Sequence, residues 1–296
     1  MAALNYATQY SQALANQFPY VLNFGALYAT PNNNRYKVVD AKTIAIPTLT
    51  TTGRVNADRD TIATASRNYD NAWENKTLKN QRKWSTLVHP MDIDQTNQVA
   101  SIANITKTFN EFQKFPEMDA YTISKIFADW TAQGMAADET VLSISNVLEV
   151  FDKLMLNMDN ARVPANGRIL YVTHEVKTML KQAQGLTRNL DVQSGNETIN
   201  RVVSRLDEVE VVGVPATLMK TAYVFTTGWA AAESAKQVNM FLVHPGVVIT
   251  PVSYAFAQLE SPSALSEGKY VYYEESFEDV FILNQQKGGI QFNITK

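Results

Sequence analysis

The stretch Val163-Pro164-Ala165-Asn166-Gly167-Arg168-Ile169-Leu170-Tyr171-Val172-Thr173 leads from a turn into an apolar run. Its second half, residues 168–173, has the β-branched and aromatic content of a buried strand. A helical pattern follows over residues 174–184, and further strand patterns cover residues 208–214 and 238–243. This alternation predicts an α/β or α+β unit of about a hundred residues.

Three helical patterns precede this unit. The first has apolar residues at steps of three and four: Ile102, Ile105, Phe109 and Phe112. The second runs from Pro116 to Gln133, because proline fits the first helical position and Gly134 is suited to end the helix. The third carries the seam Val141, Ile144, Leu148, Phe151, Met155 and Met158. We interpret that seam as core packing within one domain, in preference to a coiled-coil surface.

An extended ribbon is predicted ahead of the helices. Residues 43–52 are rich in Thr, Ile and Leu, residues 56–71 are polar, and residues 73–88 form a second extended stretch. Few residues of this ribbon are able to form a core, and an isolated two-stranded ribbon is only marginally stable in water. We therefore expect it to lie against another surface.

The first 34 residues contain no charged side chain, yet they carry six aromatic ones: Tyr6, Tyr10, Phe18, Tyr20, Phe24 and Tyr28. A solvated tail is normally charged and poor in aromatic residues. One interpretation is an ordinary first helix, over residues 4–17, that packs on its own domain. The other is an arm that lies along a neighbouring copy, with the aromatic side chains as anchors. The sequence alone supports both equally.

Strand character returns near the C-terminus. Residues 269–283 form an extended stretch, Lys287-Gly288-Gly289 makes a turn, and Ile290, Phe292 and Ile294 alternate with polar residues.

Composition excludes several classes of chemistry. The 296 residues are 45% hydrophobic and 19% charged, which is enough apolar content for a sizeable core. The net charge of -3 argues against binding driven by broad attraction to phosphate. The absence of cysteine removes disulfides, thiolate zinc sites and cysteine nucleophiles, and only three histidines remain.

Catalytic and cofactor motifs are missing as well. His174-Glu175 lacks the second histidine of a zinc-protease helix, since position 178 is Thr, and His89 and His244 each precede a proline. The sequence has no nucleophile elbow and no glycine-rich phosphate loop. We expect no enzymatic activity, no metal and no cofactor, and we expect neither a membrane span nor a signal peptide.

The second half of the chain resembles tailed-bacteriophage major capsid proteins, the Hong Kong 97-type shell proteins. The resemblance rests on residues 163–173, on Val212-Gly213-Val214-Pro215, and on Met240-Phe241-Leu242-Val243-His244-Pro245. It continues in Lys269-Tyr270-Val271-Tyr272-Tyr273-Glu274 and Phe277-Glu278-Asp279-Val280-Phe281. The order of elements is similar over essentially the whole chain, although no single motif is a catalytic signature.

The resemblance implies a domain map. It implies an N-terminal arm over residues 1–34, an extended β-hairpin loop over 35–90, and a peripheral domain with a spine helix over 91–138. An axial domain would follow over residues 139–250, and C-terminal strands over 251–296 would rejoin the peripheral domain. A lysine–asparagine crosslink of the kind some family members form has no matching motif around Lys76, Lys79 or Lys83.

The resemblance also implies a function. The chain would be a structural protein that assembles with itself, as hexamers and pentamers, into the icosahedral head of a tailed phage around double-stranded DNA. Scaffold, portal and decoration proteins would be its further partners, and its contacts with DNA would be weak and non-specific. It would reside in the virion after assembly in the host cytoplasm. Two alternatives stay open: an encapsulin-like compartment shell and, in another class, a soluble hydrolase with an unrecognised site.

Charge patterning suggests how copies recognise one another. Residues 54–83 carry seven basic and four acidic side chains, a balance of +3, and residues 260–279 carry six acidic ones and Lys269, a balance of -5. We therefore predict that a basic group of one copy approaches an acidic group of its neighbour. The basic group is Lys76, Lys79, Arg82 and Lys83, and the acidic group is Glu274, Glu275, Glu278 and Asp279. The simpler reading is that both patches are solvated.

Overall fold

The computed structural model describes residues 21–34, 36–40, 42–56, 67–96, 100–183 and 204–295. The helices are α1 (Gly25–Tyr28), α2 (Pro90–Gln95), α3 (Ile102–Phe109), α4 (Phe115–Ala132), α5 (Val147–Asn160) and α6 (His174–Gln182). The strands are β1 (Lys37–Asp40), β2 (Thr43–Thr51), β3 (Tyr69–Thr77), β4 (Gln81–Val88), β5 (Ile169–Thr173), β6 (Arg205–Leu206), β7 (Val209–Val214), β8 (Tyr223–Val224), β9 (Ala230–Ala231), β10 (Val238–Val243), β11 (Val248–Ile249), β12 (Val252–Glu260), β13 (Tyr270–Glu278), β14 (Phe281–Ile282) and β15 (Ile290–Ile294).

A five-stranded mixed sheet forms the centre of the molecule, with strand order β15-β10-β5-β7-β6. Strands β5 and β7 are parallel, joined through α6, and the other pairs are antiparallel. The predicted combination of helices and strands is confirmed, and strands β5, β7 and β10 fall within two residues of their predicted bounds.

Both faces of this sheet are covered, which is why β5 is apolar without interruption. Successive side chains of a strand point to opposite faces. Tyr171 therefore packs in the cluster that contains α4, whereas Leu170 and Val172 pack in the cluster that contains α5 and α6. All five residues of β5 are buried.

The helix predicted to begin at Pro116 is the second half of a longer helical run, so that prediction is wrong. Helix α3 passes without a break into a π-helical turn, Asn110–Lys114, and then into α4. In the π turn the N–H of Phe115 reaches back to the carbonyl of Asn110. A π turn rearranges the backbone hydrogen bonds locally, and this places the proline, which has no N–H, where the ladder is already irregular. The predicted end is confirmed, because Gly134 has a φ of 79° and donates to the carbonyl of Thr131.

Helix α5 begins later than its apolar seam indicated. Val141 and Ile144 are exposed and precede the first helical residue, Val147. The Asn146 side chain accepts from the Ser143 N–H and donates to the Val141 carbonyl, which folds this segment into a turn. Side-chain capping of this kind competes with the helix and moves its start.

The predicted ribbon is divided between two sheets. Strand β2 pairs with β3 over Thr43–Thr51 and Tyr69–Thr77, and β1 adds a short outer strand. The predicted second stretch, residues 73–88, breaks at Leu78, which is buried, and resumes as β4 in a separate sheet of order β12-β13-β4. The local extended pattern is right, but burial of Leu78 turns the chain away from the ribbon.

The C-terminal strands also separate. Residues 270–278 form β13 beside β4, whereas β15 pairs with β10 in the central sheet. The implied return of the whole segment 251–296 to a peripheral domain stays a prediction, and the pairing with β10 places β15 in the central sheet. The polar residues that alternate with apolar ones along β15, Gln291 and Asn293, are buried as well. Strand β12 was not predicted.

Candidate assembly surfaces

The described part of the N-terminal segment is built into the subunit's own core. The side chain of Phe24 is fully buried, with its ring centroid 4.7 Å from that of Tyr171. The buried Asp119 carboxylate of α4 accepts from the backbone N–H groups of Asn23, at 2.8 Å, and Phe24, at 3.1 Å. The Tyr28 hydroxyl lies 2.7 Å from that of Thr122, and burial raises its pKa.

The predicted role of Phe24 and Tyr28 as anchors on a neighbouring copy is therefore corrected, because both pack inside their own chain. Of the two interpretations left open by the sequence, packing on the same domain holds for these two residues. The remaining predicted anchors, Tyr6, Tyr10, Phe18 and Tyr20, lie outside the described residues.

The base of the ribbon is anchored by a small apolar cluster. Ile44 and Ile46 of β2 pack with Leu78, and β13 and β14 contribute Phe277 and Phe281. Ile44 and Ile46 point to the same face of the ribbon because they are two residues apart. This cluster fixes where the ribbon leaves the body of the subunit.

The distal half of the ribbon has no such cover among the described residues. In the register of β2 with β3, Pro47 lies opposite Trp73 and Thr51 lies opposite Tyr69, so these residues share one face with Leu49. The exposed fractions are 64% for Leu49, 56% for Tyr69 and 54% for Trp73. A strip of large apolar side chains in water marks an interaction surface.

Below the ribbon, a charged cleft of about 770 Å³ lies between the β12-β13-β4 sheet and the helical run α3–α4. Arg82 of β4 crosses it: its guanidinium donates to Glu117 of α4 at 2.6 Å and to the carbonyl of Phe225 at 2.6 Å. Lys114 of the π turn donates to Glu274 of β13 at 3.1 Å. These two ion pairs tie the sheet to the helix.

Glu278 is a partly buried carboxyl of this cleft, and its pKa is raised. Burial raises its pKa, and the Lys114 ammonium opposes the rise. The carboxylates of Glu117 and Glu274 then add to it by repulsion. The proton is therefore held more tightly at Glu278 than at an ordinary glutamate.

The predicted basic and acidic residues do come together, but within one chain. Strand β4 lies against β13 with Lys83 opposite Glu275 and Arg82 opposite Ser276. The backbone N–H of Lys79 donates to Asp279 at 2.8 Å. The predicted contact between copies is corrected accordingly: the pairing of β4 with β13 brings the two segments together inside one chain, and no salt bridge joins the two groups among the described residues.

The remaining members of the two groups have local partners. Lys76 pairs with Glu74 at 2.7 Å and donates to Asn284 at 2.9 Å. Glu275 accepts from the hydroxyl of Tyr273 at 2.6 Å and from Gln81 at 2.5 Å, and these bonds lower its pKa. The Asp279 carboxylate also accepts from the hydroxyl of Tyr121.

Sequence reasoning missed the helical half of the cleft. Lys114 and Glu117 bracket Pro116, and the assumption that a new helix begins there hid the fact that both lie on one continuous run. Their spacing of three residues on a helix was the available signal.

Two of the three histidines accept hydrogen bonds from the backbone. His89 accepts from the Met91 N–H and caps α2, and His244 accepts from the Gly246 N–H. Among the described residues, no cluster of three or more histidine and acidic side chains is placed to hold a metal ion. No helix in those ranges is long and apolar enough to span a membrane.

Comparison with known proteins gives one consistent result. No family model and no curated protein sequence matches the chain. Solved structures match over nearly the whole length: the mature capsid of bacteriophage PhiM1, with a TM-score of 0.70 and 13% identity, covers 99% of this chain and 92% of that one. The capsid of the cyanophage P-SCSP1u matches with a TM-score of 0.63 and 10% identity, over 98% of this chain and 93% of that one. The capsid of Ralstonia phage GP4 matches with a TM-score of 0.62 and 9% identity, over 98% and 94%.

The chain therefore has the fold of tailed-phage capsid proteins. The resemblance noted in the sequence is confirmed at the level of the fold.

Proposed function

We propose that this chain is the major capsid protein of a tailed phage, and that many copies assemble into the icosahedral head around double-stranded DNA. The observation that carries the proposal is the structural match to a phage capsid over 99% of this chain and 92% of that one, at a TM-score of 0.70.

The exposed ribbon supports the same function. Its base is fixed by Ile44, Ile46 and Leu78, while its distal half presents Leu49, Tyr69 and Trp73 to solvent. Full burial of one such side chain contributes roughly 1.5–3 kcal/mol. We infer that the distal half of the ribbon lies on a neighbouring subunit. Each such contact is weak, but its repetition around a shell makes the sum large enough to stabilise the assembly.

The domain map is part of the proposal, with changes to the loop, to the C-terminal strands and to the arm. The extended loop is β2–β3, so it ends at Thr77, and the peripheral domain comprises α3, α4 and the β12-β13-β4 sheet. The axial domain is the central sheet with α5 and α6, and it includes β15. An arm that reaches a neighbour is confined to residues before Val21.

The partners follow from the same proposal. The net charge of -3 suits weak, sequence-independent contact with packaged DNA. Scaffold, portal and decoration proteins complete the head, which assembles in the host cytoplasm. The protein acts as a structural component, not as an enzyme. The encapsulin-like alternative is not favoured, because the similar structures are phage capsids.

Negative-stain microscopy of the expressed protein tests this function. We expect closed or partial shells, and we expect far fewer in a variant that carries Leu49→Ser and Trp73→Ser. The matched control is Ala72→Ser, on the opposite face of the same ribbon. A monodisperse monomer at every protein and salt concentration, without particles, would contradict the proposal.

A further inference from the structure

Strand β12 is an unusual edge strand. It pairs with β13 on one side, and no other described strand pairs with its outer side. It is nine residues long, its only charged residue is Glu260, at its end, and its one irregularity against β13 lies at its start, between Val252 and Tyr254. Long, uncharged edges present free N–H and C=O groups to any passing strand, and proteins normally protect them with charges, bulges or short length.

The other edges of the three larger sheets in the described ranges are charged, short or buried: β3 carries three charged side chains, and β15 is buried along its length. Strand β1 is four residues long and begins and ends with the charged Lys37 and Asp40. Strand β6 has only two residues. Strand β4 carries Arg82 and Lys83 in its first half. The contrast shows that β12 differs from its counterparts within the same chain.

The outer part of β12 is also apolar. The exposed fractions are 48% for Tyr254, 40% for Phe256 and 52% for Leu259. The ring of Phe256 lies 6.2 Å from that of Tyr273 on β13, so the aromatic surface extends across two strands. An apolar edge of this length needs a partner strand.

We infer that β12 pairs antiparallel with β12 of a second copy, about a two-fold axis that passes through Phe256. This inference rests on the proposed shell, since icosahedral symmetry supplies two-fold axes and a self-complementary contact closes there. The pairing joins two three-stranded sheets into one sheet of six strands.

Charge selects the antiparallel direction of this pairing. A parallel pairing of two β12 strands would place Glu260 beside its own copy, whereas the antiparallel pairing places it opposite Val252. The register centred on Phe256 is the one in which all nine residues overlap. It sets Tyr254 opposite Gln258 and leaves no like charges facing each other, which would destabilise the pair.

The chain contains no cysteine, so cysteine crosslinking has a clean background. In the inferred register, residue 256 faces its own copy with a Cα–Cα distance of ~4.5–5.5 Å, within the range of a disulfide. We expect assembled Phe256→Cys protein to run mainly as covalent dimers on non-reducing gels after mild oxidation.

Two further variants fix the register. Leu259→Cys is exposed on the same strand, but it faces Ser253 of the second copy, so we expect at least tenfold less dimer. A double variant with Tyr254→Cys and Gln258→Cys should form dimers again, because these positions face each other. Equal dimer formation by Phe256→Cys and Leu259→Cys, or crosslinked ladders beyond the dimer, would overturn the inferred pairing.

Charge reversal provides a test without oxidation. Phe256→Glu and Phe256→Lys each place like charges at the axis, and we expect each alone to assemble poorly and an equimolar mixture to assemble well. Normal assembly of either variant alone overturns the inference.

The outcomes separate this inference from the proposed function. If unmodified protein forms shells and Phe256→Cys forms no dimer in them, the pairing is wrong and the capsid function stands. If unmodified protein forms no shells under any condition, the function itself fails.

Discussion

The central sheet and the ribbon are both built from strands of Val, Ile, Thr and aromatic residues, but they differ in what covers them. In the central sheet, β5 has all five residues buried between two clusters of helices. In the ribbon, β3 has no fully buried residue. Strand β5 is stabilised inside one chain, whereas the distal ribbon is exposed in the single chain. Under the proposed function, the difference separates the part of the molecule that folds alone from the part that assembly would complete.

The largest effect is expected where the N-terminal segment enters the core. Phe24→Ala should lower the free energy of unfolding of the unassembled subunit by ~3–5 kcal/mol, because it leaves a cavity beside Tyr171. Val21→Ala, at an exposed position three residues earlier, should change it by less than ~0.5 kcal/mol. Denaturant unfolding measures both. Equal, small effects would show that this segment belongs to an arm and not to the core.

A smaller loss is expected at the carboxylate that holds the same segment. Asp119→Asn removes one of the two carboxylate oxygens that accept from the backbone N–H groups of Asn23 and Phe24. This change should lower the free energy of unfolding by ~1–3 kcal/mol. Asp129→Asn breaks a partly exposed ion pair with Lys125 on the same helix and should cost less than ~0.5 kcal/mol. If the two variants unfold at the same denaturant concentration, Asp119 has no special role.

The cleft should respond to pH through Glu278. Its pKa is raised above the usual 4.5, so the folded subunit binds this proton more tightly than the unfolded chain. The stabilisation is therefore full at acid pH and is lost as pH rises through the raised pKa. Glu278→Gln should raise the free energy of unfolding at pH 7 by ~1 kcal/mol and remove this part of the pH dependence.

The control for Glu278→Gln is Glu275→Gln, because the pKa of Glu275 is shifted in the opposite direction. Hydrogen bonds from Tyr273 and Gln81 lower the pKa of Glu275, so its contribution is present above the ordinary glutamate pKa and is lost at lower pH. Unfolding titrations of both variants against the unmodified protein isolate each group. Identical pH profiles for the two variants would contradict the assignment.

The smallest effect on the subunit is expected at the distal ribbon. Leu49→Ser with Trp73→Ser should change the free energy of unfolding of the unassembled subunit by less than ~0.5 kcal/mol, because both side chains are already exposed. The same variant should assemble poorly. A loss of several kcal/mol in the subunit would show that the ribbon is part of the subunit's own core.

The two regions also differ in how well the sequence predicts them. Strands β5, β7 and β10 can be predicted from local apolar runs, because a strand that is buried on both faces is apolar at nearly every position. The break at Leu78 could not be predicted, because its burial depends on Phe277 and Phe281, two hundred residues away. Where tertiary contacts decide the boundary, local pattern is insufficient.

The charged cleft shows a similar limit. The opposite charges of residues 54–83 and 260–279 predicted a contact between copies, whereas these segments meet within one chain through the β4–β13 pairing and a bond from the backbone N–H of Lys79 to Asp279. Charge gives no information on whether the partner lies in the same chain. The π turn before Pro116 was hidden for a related reason: a proline preceded by an apolar stripe fits both a helix start and a continuous helix.

Hydrogen exchange of the same protein before and after assembly tests the central claim most directly. We predict that the amides of Tyr69–Glu74 exchange rapidly in the unassembled subunit and become strongly protected in particles, whereas those of Ile169–Thr173 are protected in both states. Protection of residues 69–74 in a verified monomer, or their continued rapid exchange in intact particles, would contradict the account.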